Sequence, residues 1–385
     1  MNKKFKVGVI GVGFIGPAHM EAIRRLGFDV TALATSTQEK ADRAAEELLI
    51  PKAYGDWRDL VNDPEIEVVH ITSPNYLHYP QAKAALEAGK HVICEKPLAM
   101  DTEETAELVQ LAQEKELVNA VNFNIRFYPL VQEAHAQVQA GNLGDQIYII
   151  QGSYLQDWLL LETDWNWRID PEEGGDLLAI SDIGSHWVDL VTFITGTKVK
   201  EVCADLETFI PVRRKPTREL ETFGGKMEVD QKYEEVDVEL EEYGSVLLRF
   251  DNGSKGVMTI SQVSSGRKNR LFFEINGSES SLIWNSERPN ELLFGHRTKS
   301  NDLLIKDPAL MSGKARWSAS YPGGHTEGFP DTFKQLYVSV YEYIAAGNYS
   351  AEVNFPTFQD GHEIQAVDEA ILKSSQENGW VEVEY

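Results

Sequence analysis

The chain has 385 residues, 42% of them hydrophobic and 25% charged, and a formal net charge of −25. That length favours two domains over one core. The acidic balance excludes a nucleic-acid backbone or an anionic membrane surface as the natural partner. No apolar run reaches membrane-spanning length. The start, Met1-Asn2-Lys3-Lys4-Phe5, reads as the approach to a strand rather than a signal peptide, so a cytoplasmic location is expected. Cys94 and Cys203, the two cysteines, form no disulfide framework and no metal-type spacing, and no metal is expected.

Lys6–Ile10 reads as a strand, followed by Gly11-Val12-Gly13-Phe14-Ile15-Gly16, Pro17 and an amphipathic helix to about Leu26. This is G-x-G-x-x-G with a strand before it and a helix after it. Gly11 permits the tight turn, Gly13 lets backbone approach a pyrophosphate, and Gly16 lets helix and strand pack closely. Phe14 and Ile15 lie in the same loop, with the helix N-terminus facing the phosphates. A purely structural glycine turn is the alternative.

The second strand is Val30–Ala34. An NAD-preferring site places Asp or Glu at its end to hold the ribose hydroxyls, but here stand Thr35-Ser36-Thr37, with Lys40 beyond. Hydroxyls and a lysine suit a 2′-phosphate, so NADP, or use of both NAD and NADP, is expected. The same residues read equally as an N-cap cluster for a helix over 38–48. Further alternation follows: a short segment at Lys52–Tyr54, a helix over 56–62, and the strand Glu67–Thr72. The loop Ser73-Pro74-Asn75-Tyr76-Leu77-His78 then opens a helix closed by Gly89. Strands separated by helices predict a parallel, doubly wound sheet.

Next comes His91-Val-Ile-Cys-Glu-Lys-Pro97. A short apolar run ending in Glu95, Lys96 and Pro97 reads as a buried strand with charges at its carboxyl end, where open α/β sheets bind ligands. Lys96 is suited to donate to a substrate oxygen; the alternative is a surface Glu95–Lys96 pair. A helix over 102–115, capped by Asp101 or Thr102, leads to the strand Val118–Val121.

After Asn124-Ile125-Arg126-Phe127 the pattern changes. A helix runs from about Pro129 to Ala140, and strands are predicted at 147–154, 198–210, 236–250, 255–263, 270–276 and 280–285. Turns at Asp251-Asn252-Gly253 and Asn276-Gly277 indicate an antiparallel sheet. The acidic stretch Glu219–Glu242 reads as a solvated hairpin or loop. Helices at about 332–346 and 360–375 carry core stripes.

Within this half, Ser181–Asp189 opens a helix predicted over 181–195 and stopped by Gly196. Ile183, Trp187, Leu190, Val191 and Ile194 form its apolar face. Asp182, His186 and Asp189 share a neighbouring stripe. A carboxylate one turn before a histidine can orient the ring as a general base. The alternative is Asp182 as an N-cap and His186 as a packing histidine, against which Gly184 inside the helix argues. Trp165-Asn166-Trp167-Arg168 and Tyr321-Pro322-Gly323-Gly324-His325 are candidate sugar-facing spots, with Trp158 a further guess.

Together these motifs resemble the glucose–fructose oxidoreductase / inositol dehydrogenase / rhizopine-catabolism family, Gfo/Idh/MocA, over nearly the whole chain. The carriers are the glycine loop, Ser73-Pro74-Asn75 with His78, Glu95-Lys96-Pro97, and the D-x-G-x-H-x-x-D helix from Asp182 to Asp189. The resemblance implies an α/β fold: an N-terminal Rossmann doubly wound parallel sheet (1–123), then a C-terminal α+β domain (124–385) with a large open, mostly antiparallel sheet. That sheet's outer face would form a homodimer or homotetramer, and the Lys96–Pro97 bond would be cis.

By family roles Lys96 hydrogen-bonds the reacting oxygen, and His186 moves the hydroxyl proton with Asp182 in support. Trp167 and Arg168 lie near the nicotinamide nucleotide. Ser73, Pro74, Asn75, His78, Glu95, Lys96, Pro97 and Asn124 are counted with the cofactor-binding set, and Arg126 with the substrate-binding set of Lys96, Trp165, Asp182, His186, Tyr321 and His325. The expected activity is an NAD(P)-dependent oxidoreductase acting on a sugar, sugar derivative or inositol-like polyol. A non-catalytic nucleotide- or sugar-sensing protein of the same fold is the alternative.

Overall fold

The computed structural model describes residues 4–217 and 232–385. By packing, these residues form two units. The first comprises the described residues up to Phe123 together with 172–175 and 333–365, and the second holds 124–171, 176–332 and 366–385. The chain thus passes between units several times, not once at the boundary expected after residue 123.

In the first unit β1 (Val7–Ile10), β2 (Val30–Ala34), β3 (Lys52–Tyr54), β4 (Val68–Ile71), β5 (His91–Cys94) and β6 (Asn119–Val121) form one sheet in the order β3-β2-β1-β4-β5-β6. Every pairing is parallel. Val7, Val9, Val68, Val69, Val92 and Ile93 are fully buried, as a sheet covered on both faces requires. The helices start where the sequence places caps. Thr37 accepts from Lys40 N ahead of Gln38–Leu48, and Asp101 accepts from Glu104 N ahead of Thr102–Glu114. The helix Phe329–Ala346, three residues longer at its start than expected, contributes buried Phe333, Leu336, Tyr337, Val340 and Tyr341 to this unit.

The second unit is built on a nine-stranded sheet. Its strands are β7 (Ile147–Leu155), β8 (Val199–Glu207), β11 (Tyr243–Phe250), β12 (Lys255–Ser261), β13 (Arg270–Gly277), β14 (Ser280–Asn285), β15 (Glu291–His296), β16 (Asp302–Ile305) and β17 (Val381–Glu382). A separate hairpin pairs β9 (Val212–Pro216) with β10 (Tyr233–Asp237). The sheet order is β16-β15-β14-β13-β7-β12-β11-β8-β17. All neighbours are antiparallel except β7 and β12. The Asp251–Gly253 turn joins β11 to β12 as expected. The other turn falls at Ser278-Glu279 instead, because Asn276 and Gly277 still pair with β7.

Three expectations are corrected here. The single strand predicted over 236–250 breaks between Asp237 and Tyr243, where the chain turns Glu241 and Glu242 inward. The acidic stretch Glu219–Glu242 is therefore not solvated at its end: Glu242 is fully buried in an ion pair with equally buried Arg213. Its residues up to 231 lie outside the described residues. The helix predicted over 181–195 is also two elements. Ile180–Gly184 is a π-turn and Ser185–Thr195 an α-helix, ended by left-handed Gly196. Trp187 seats that helix on the sheet by donating Nε1–H to the Phe272 carbonyl at 3.0 Å. Only glycine fits at 152 beneath it, because a Cβ there would lie 2.5 Å from the indole nitrogen. Among the described residues no helix is long and apolar enough to cross a membrane.

Candidate active site

In the first unit the predicted residues follow the carboxyl ends of four adjacent strands, β2, β1, β4 and β5. After β1, Gly11 has φ +92°, open to glycine and strained for other residues. A Cβ on Gly16 would sit 2.4 Å from the Gly11 carbonyl oxygen, whereas one on Gly13 would meet nothing within 4 Å. Gly16 therefore serves packing, and Gly13 leaves open space over the loop. The helix Ile15–Arg25 begins with no side-chain cap, so its first N–H groups remain available to an anion. Phe14 is exposed and Ile15 half-buried. Thr72, which sequence reasoning missed, pins the loop by donating to the carbonyls of Ile10 and Gly11 at 3.0 and 2.7 Å. These features fit a dinucleotide pyrophosphate. At the end of β2 the Thr35 hydroxyl donates to the Thr37 carbonyl, and Ser36 and Lys40 are exposed. The N-cap reading therefore holds for Thr37, and no carboxylate stands there.

After β4, the Ser73 hydroxyl donates to Gln81, Pro74 precedes the short helix Asn75–Leu77, and Asn75 donates to the Gly174 carbonyl. His78 is buried, its ring nitrogens 2.8 Å from the Ser73 carbonyl and 2.6 Å from that of Pro97. Burial pushes its pKa down against the pull of those carbonyls. His78 thus ties the loop after β4 to the loop after β5. There the Lys96–Pro97 bond is cis, as the resemblance implied. Glu95 is buried: Oε1 takes His19 Nε2 at 2.9 Å and the Asn122 amide, and Oε2 takes Lys96 N at 3.2 Å. Burial alone would raise its pKa, but His19, Lys96 and Asn122 together hold it below the usual carboxylate range. Glu95 is therefore an internal anion, not half of a surface pair. Lys96 is half-exposed.

In the second unit the π-turn carries Asp182, and the first turn of the α-helix that follows carries His186; both are half-buried. The N-cap position is Ala179, so Asp182 is not the cap considered above. Its oxygens take Arg168 Nε at 3.1 Å and Gln262 Nε2 at 2.9 Å. Arg168 also lies 4.3 Å over the Trp167 ring, on a short helix whose cap, Asn166, accepts from Arg168 N. Asp189, on the predicted stripe, is buried against Arg126 Nε at 3.0 and 2.9 Å. Arg126, expected against substrate, is thus a buried strut, with its guanidinium 4.9 Å from the Phe193 ring. Asn124 is buried and donates to Thr332. Trp165 packs on a core cluster that includes Trp158. Tyr321 and His325 are exposed on a loop anchored by the buried Lys306–Glu327 pair. Among the described residues no group of three or more His, Cys, Asp or Glu side chains is placed to hold a metal ion.

Glu241 is the most informative residue that sequence reasoning missed. Its buried carboxylate accepts from Leu178 N on both oxygens and from Ile180 N on Oε1, at 2.9–3.0 Å, and so caps the π-turn. Burial pushes its pKa up to about 7 despite those bonds. The folded chain then holds a proton that the unfolded chain releases above about pH 4.5, so stability falls as pH rises through that window. Glu241→Gln keeps the Oε1 acceptor and should flatten this decline, worth up to about 3 kcal/mol. Chemical denaturation at pH 5 and pH 8 checks it; the same fall in variant and parent would contradict it.

The comparisons with known proteins agree with this architecture. A family profile described as an oxidoreductase family with NAD-binding Rossmann fold, GFO_IDH_MocA, matches residues 5–123. The GFO/IDH/MocA C-terminal domain matches residues 131–283. Levoglucosan dehydrogenase of Pseudarthrobacter phenanthrenivorans is 31% identical, over 99% of this chain and 98% of that protein. An inositol 2-dehydrogenase/D-chiro-inositol 3-dehydrogenase of Lactiplantibacillus plantarum is 31% identical over 54% of this chain and 55% of its own. A solved levoglucosan dehydrogenase in complex with NADH and levoglucosan has a TM-score of 0.87 and 30% identity, covering 99% of this chain and 100% of that one.

Proposed function

The chain belongs to the Gfo/Idh/MocA family of oxidoreductases, and from that premise we propose that it moves a hydride between a nicotinamide nucleotide and a hydroxyl-bearing or carbonyl carbon of a sugar or cyclic polyol. The observation that carries the reading is the clustering at one sheet edge. The glycine loop, Ser73-Pro74-Asn75 and Glu95-Lys96-Pro97 follow the adjacent strands β1, β4 and β5, where doubly wound sheets take their ligands. The end-to-end relative named for levoglucosan, with the inositol dehydrogenase, supports ring hydroxyls as the substrate class.

The bound nucleotide supplies the hydride chemistry. Gly11, Gly13 and Gly16 would hold its pyrophosphate, and Thr35, Ser36 and Lys40 its adenosine ribose. Relatives' structures hold NADH. With no carboxylate after β2 to repel a 2′-phosphate, we assign use of both NAD and NADP. Ser73, Pro74, Asn75, Asn124, Trp167 and Arg168 complete the cofactor set, some by fixing backbone rather than by contact. Lys96 donates to the reacting oxygen and stabilises the charge that develops there. His186 takes the hydroxyl proton in oxidation and returns it in reduction. Asp182, held by Arg168 and Gln262, fixes the charge beside that ring.

The accessible face of the nine-stranded sheet supports self-association. Cross-strand pairing places Leu247, Val257, Gln151, Glu274, Ile283, Leu293 and Leu303 in one row. None of these is buried, and the apolar members suit the interface of a dimer or tetramer. Initial rates over levoglucosan, inositols, aldoses and their keto forms, each with NAD(H) and NADP(H), test the function. Turnover of a ring hydroxyl, with the two cofactors within about tenfold in kcat/KM, is expected. Cofactor binding with no turnover across the set would overturn it.

A further inference from the structure

Resting on the assignment of Lys96 to the reacting oxygen, we propose that a buried chain of hydrogen bonds from Tyr341 through His70 and His19 locks Glu95 as the carboxylate beside Lys96. The three residues act as positioning residues. Tyr341 Oη lies 2.9 Å from His70 Nε2, His70 Nδ1 lies 3.0 Å from His19 Nδ1, and His19 Nε2 lies 2.9 Å from Glu95 Oε1. All four groups belong to the first unit and are buried.

The direction of the chain follows from counting donors. Two nitrogens 3.0 Å apart share one proton, so one histidine donates and the other accepts. Among the described residues, His70 Nε2 is the polar partner of the Tyr341 hydroxyl. If His70 carried its proton on Nε2, the buried Tyr341 O–H would lose its acceptor, which is costly. Tyr341 must therefore donate to His70 Nε2. His70 then donates from Nδ1 to His19 Nδ1, and His19 donates from Nε2 to Glu95. This arrangement satisfies every donor in the chain and, with the Asn122 amide on Oε1 and Lys96 N on Oε2, leaves both Glu95 oxygens as acceptors, as in a carboxylate. Burial pushes the His70 pKa well down, as the neutral ring requires.

A second branch ends on the same oxygen. Tyr337 O–H donates to Asn122 Oδ1 at 3.2 Å, which turns the Asn122 amide nitrogen toward Glu95 Oε1. Tyr337 and Tyr341 lie one turn apart on a single helix, so that helix sets both donors. The other titratable groups near Glu95 are Lys96 and Cys94 on its own segment, His78 and Tyr337.

The test has two readouts. Ring ¹⁵N shifts of histidine-labelled, cofactor-free protein report tautomers directly. They should show His19 protonated on Nε2 and His70 on Nδ1. The opposite pair, or an imidazolium at either position, overturns the proposal whatever the enzyme's substrate. The second readout is the acid limb of kcat against pH. His70→Phe frees His19 to withdraw its donor from Glu95, and the limb should move up by about one pH unit. His70→Asn, which can keep an N–H where Nδ1 stood, should restore the parent profile. Equal profiles in the two variants would show a merely structural role and overturn the coupling; should either variant fail to fold, the tautomer measurement still decides.

Discussion

Lys96→Ala is expected to lower kcat by about a thousandfold while leaving nicotinamide nucleotide affinity within about threefold. The side chain stands after β5 at the edge where the loops of β1 and β4 also end. Its backbone N–H is held by Glu95 Oε2, so the turn that presents it does not depend on the ammonium group. Removing the side chain takes away the cation proposed to meet developing negative charge and leaves the glycine loop, pinned by Thr72, unchanged. Lys96→Met keeps the length without the charge and should be equally impaired. Steady-state rates with calorimetric cofactor titration check both. A kcat loss below tenfold, or a lost cofactor affinity that accounts for the whole effect, would contradict the role.

His186→Ala is the second large effect. A positioned base contributes ~10² to 10⁴-fold, so oxidation should slow by about that factor. The loss should be greatest at low pH, where water and hydroxide replace a base poorly. Added imidazole should restore part of the rate. A packing histidine would behave differently: its removal would lower the melting temperature and raise KM, and imidazole would restore nothing. The ring stands in the first turn of the α-helix that Trp187 seats on the sheet, directly after the π-turn that Glu241 caps. Such π-turns often mark sites where a side chain must be re-aimed. Asp182→Asn keeps its oxygen for Arg168 or Gln262 and should cost less than the loss of the histidine.

The Rossmann unit was legible because its signals are local. A strand, three glycines at fixed spacing and an amphipathic helix follow one another within a few turns, so the pattern is complete within a short stretch of sequence. The strands at Val30–Ala34 and His91–Cys94 and the caps at Thr37 and Asp101 fall where the pattern put them. What could not be read is what crosses the chain. His70 meets Tyr341 across 271 residues, and Glu241 reaches Leu178 across 63. No periodicity announces either, and by composition Glu241 and Glu242 belong to a charged loop. The π-turn was hidden for another reason. One extra residue in a turn leaves the apolar stripe of Ile183, Trp187 and Leu190 intact, so a straight helix explains the pattern equally well. Gly184 was the one local hint.

The family's shared motifs do not single out a substrate, and the proposed function turns on direct hydride transfer between substrate carbon and nicotinamide. The most direct measurement is therefore isotopic. Incubation with an inositol or levoglucosan deuterated at each ring carbon bearing hydroxyl, with NAD and NADP, should deliver one deuterium to C4 of the reduced nicotinamide, with none incorporated from D₂O solvent. Reduced nucleotide that carries solvent deuterium, or a bound nucleotide that is never reduced by any labelled sugar or polyol, would contradict the account.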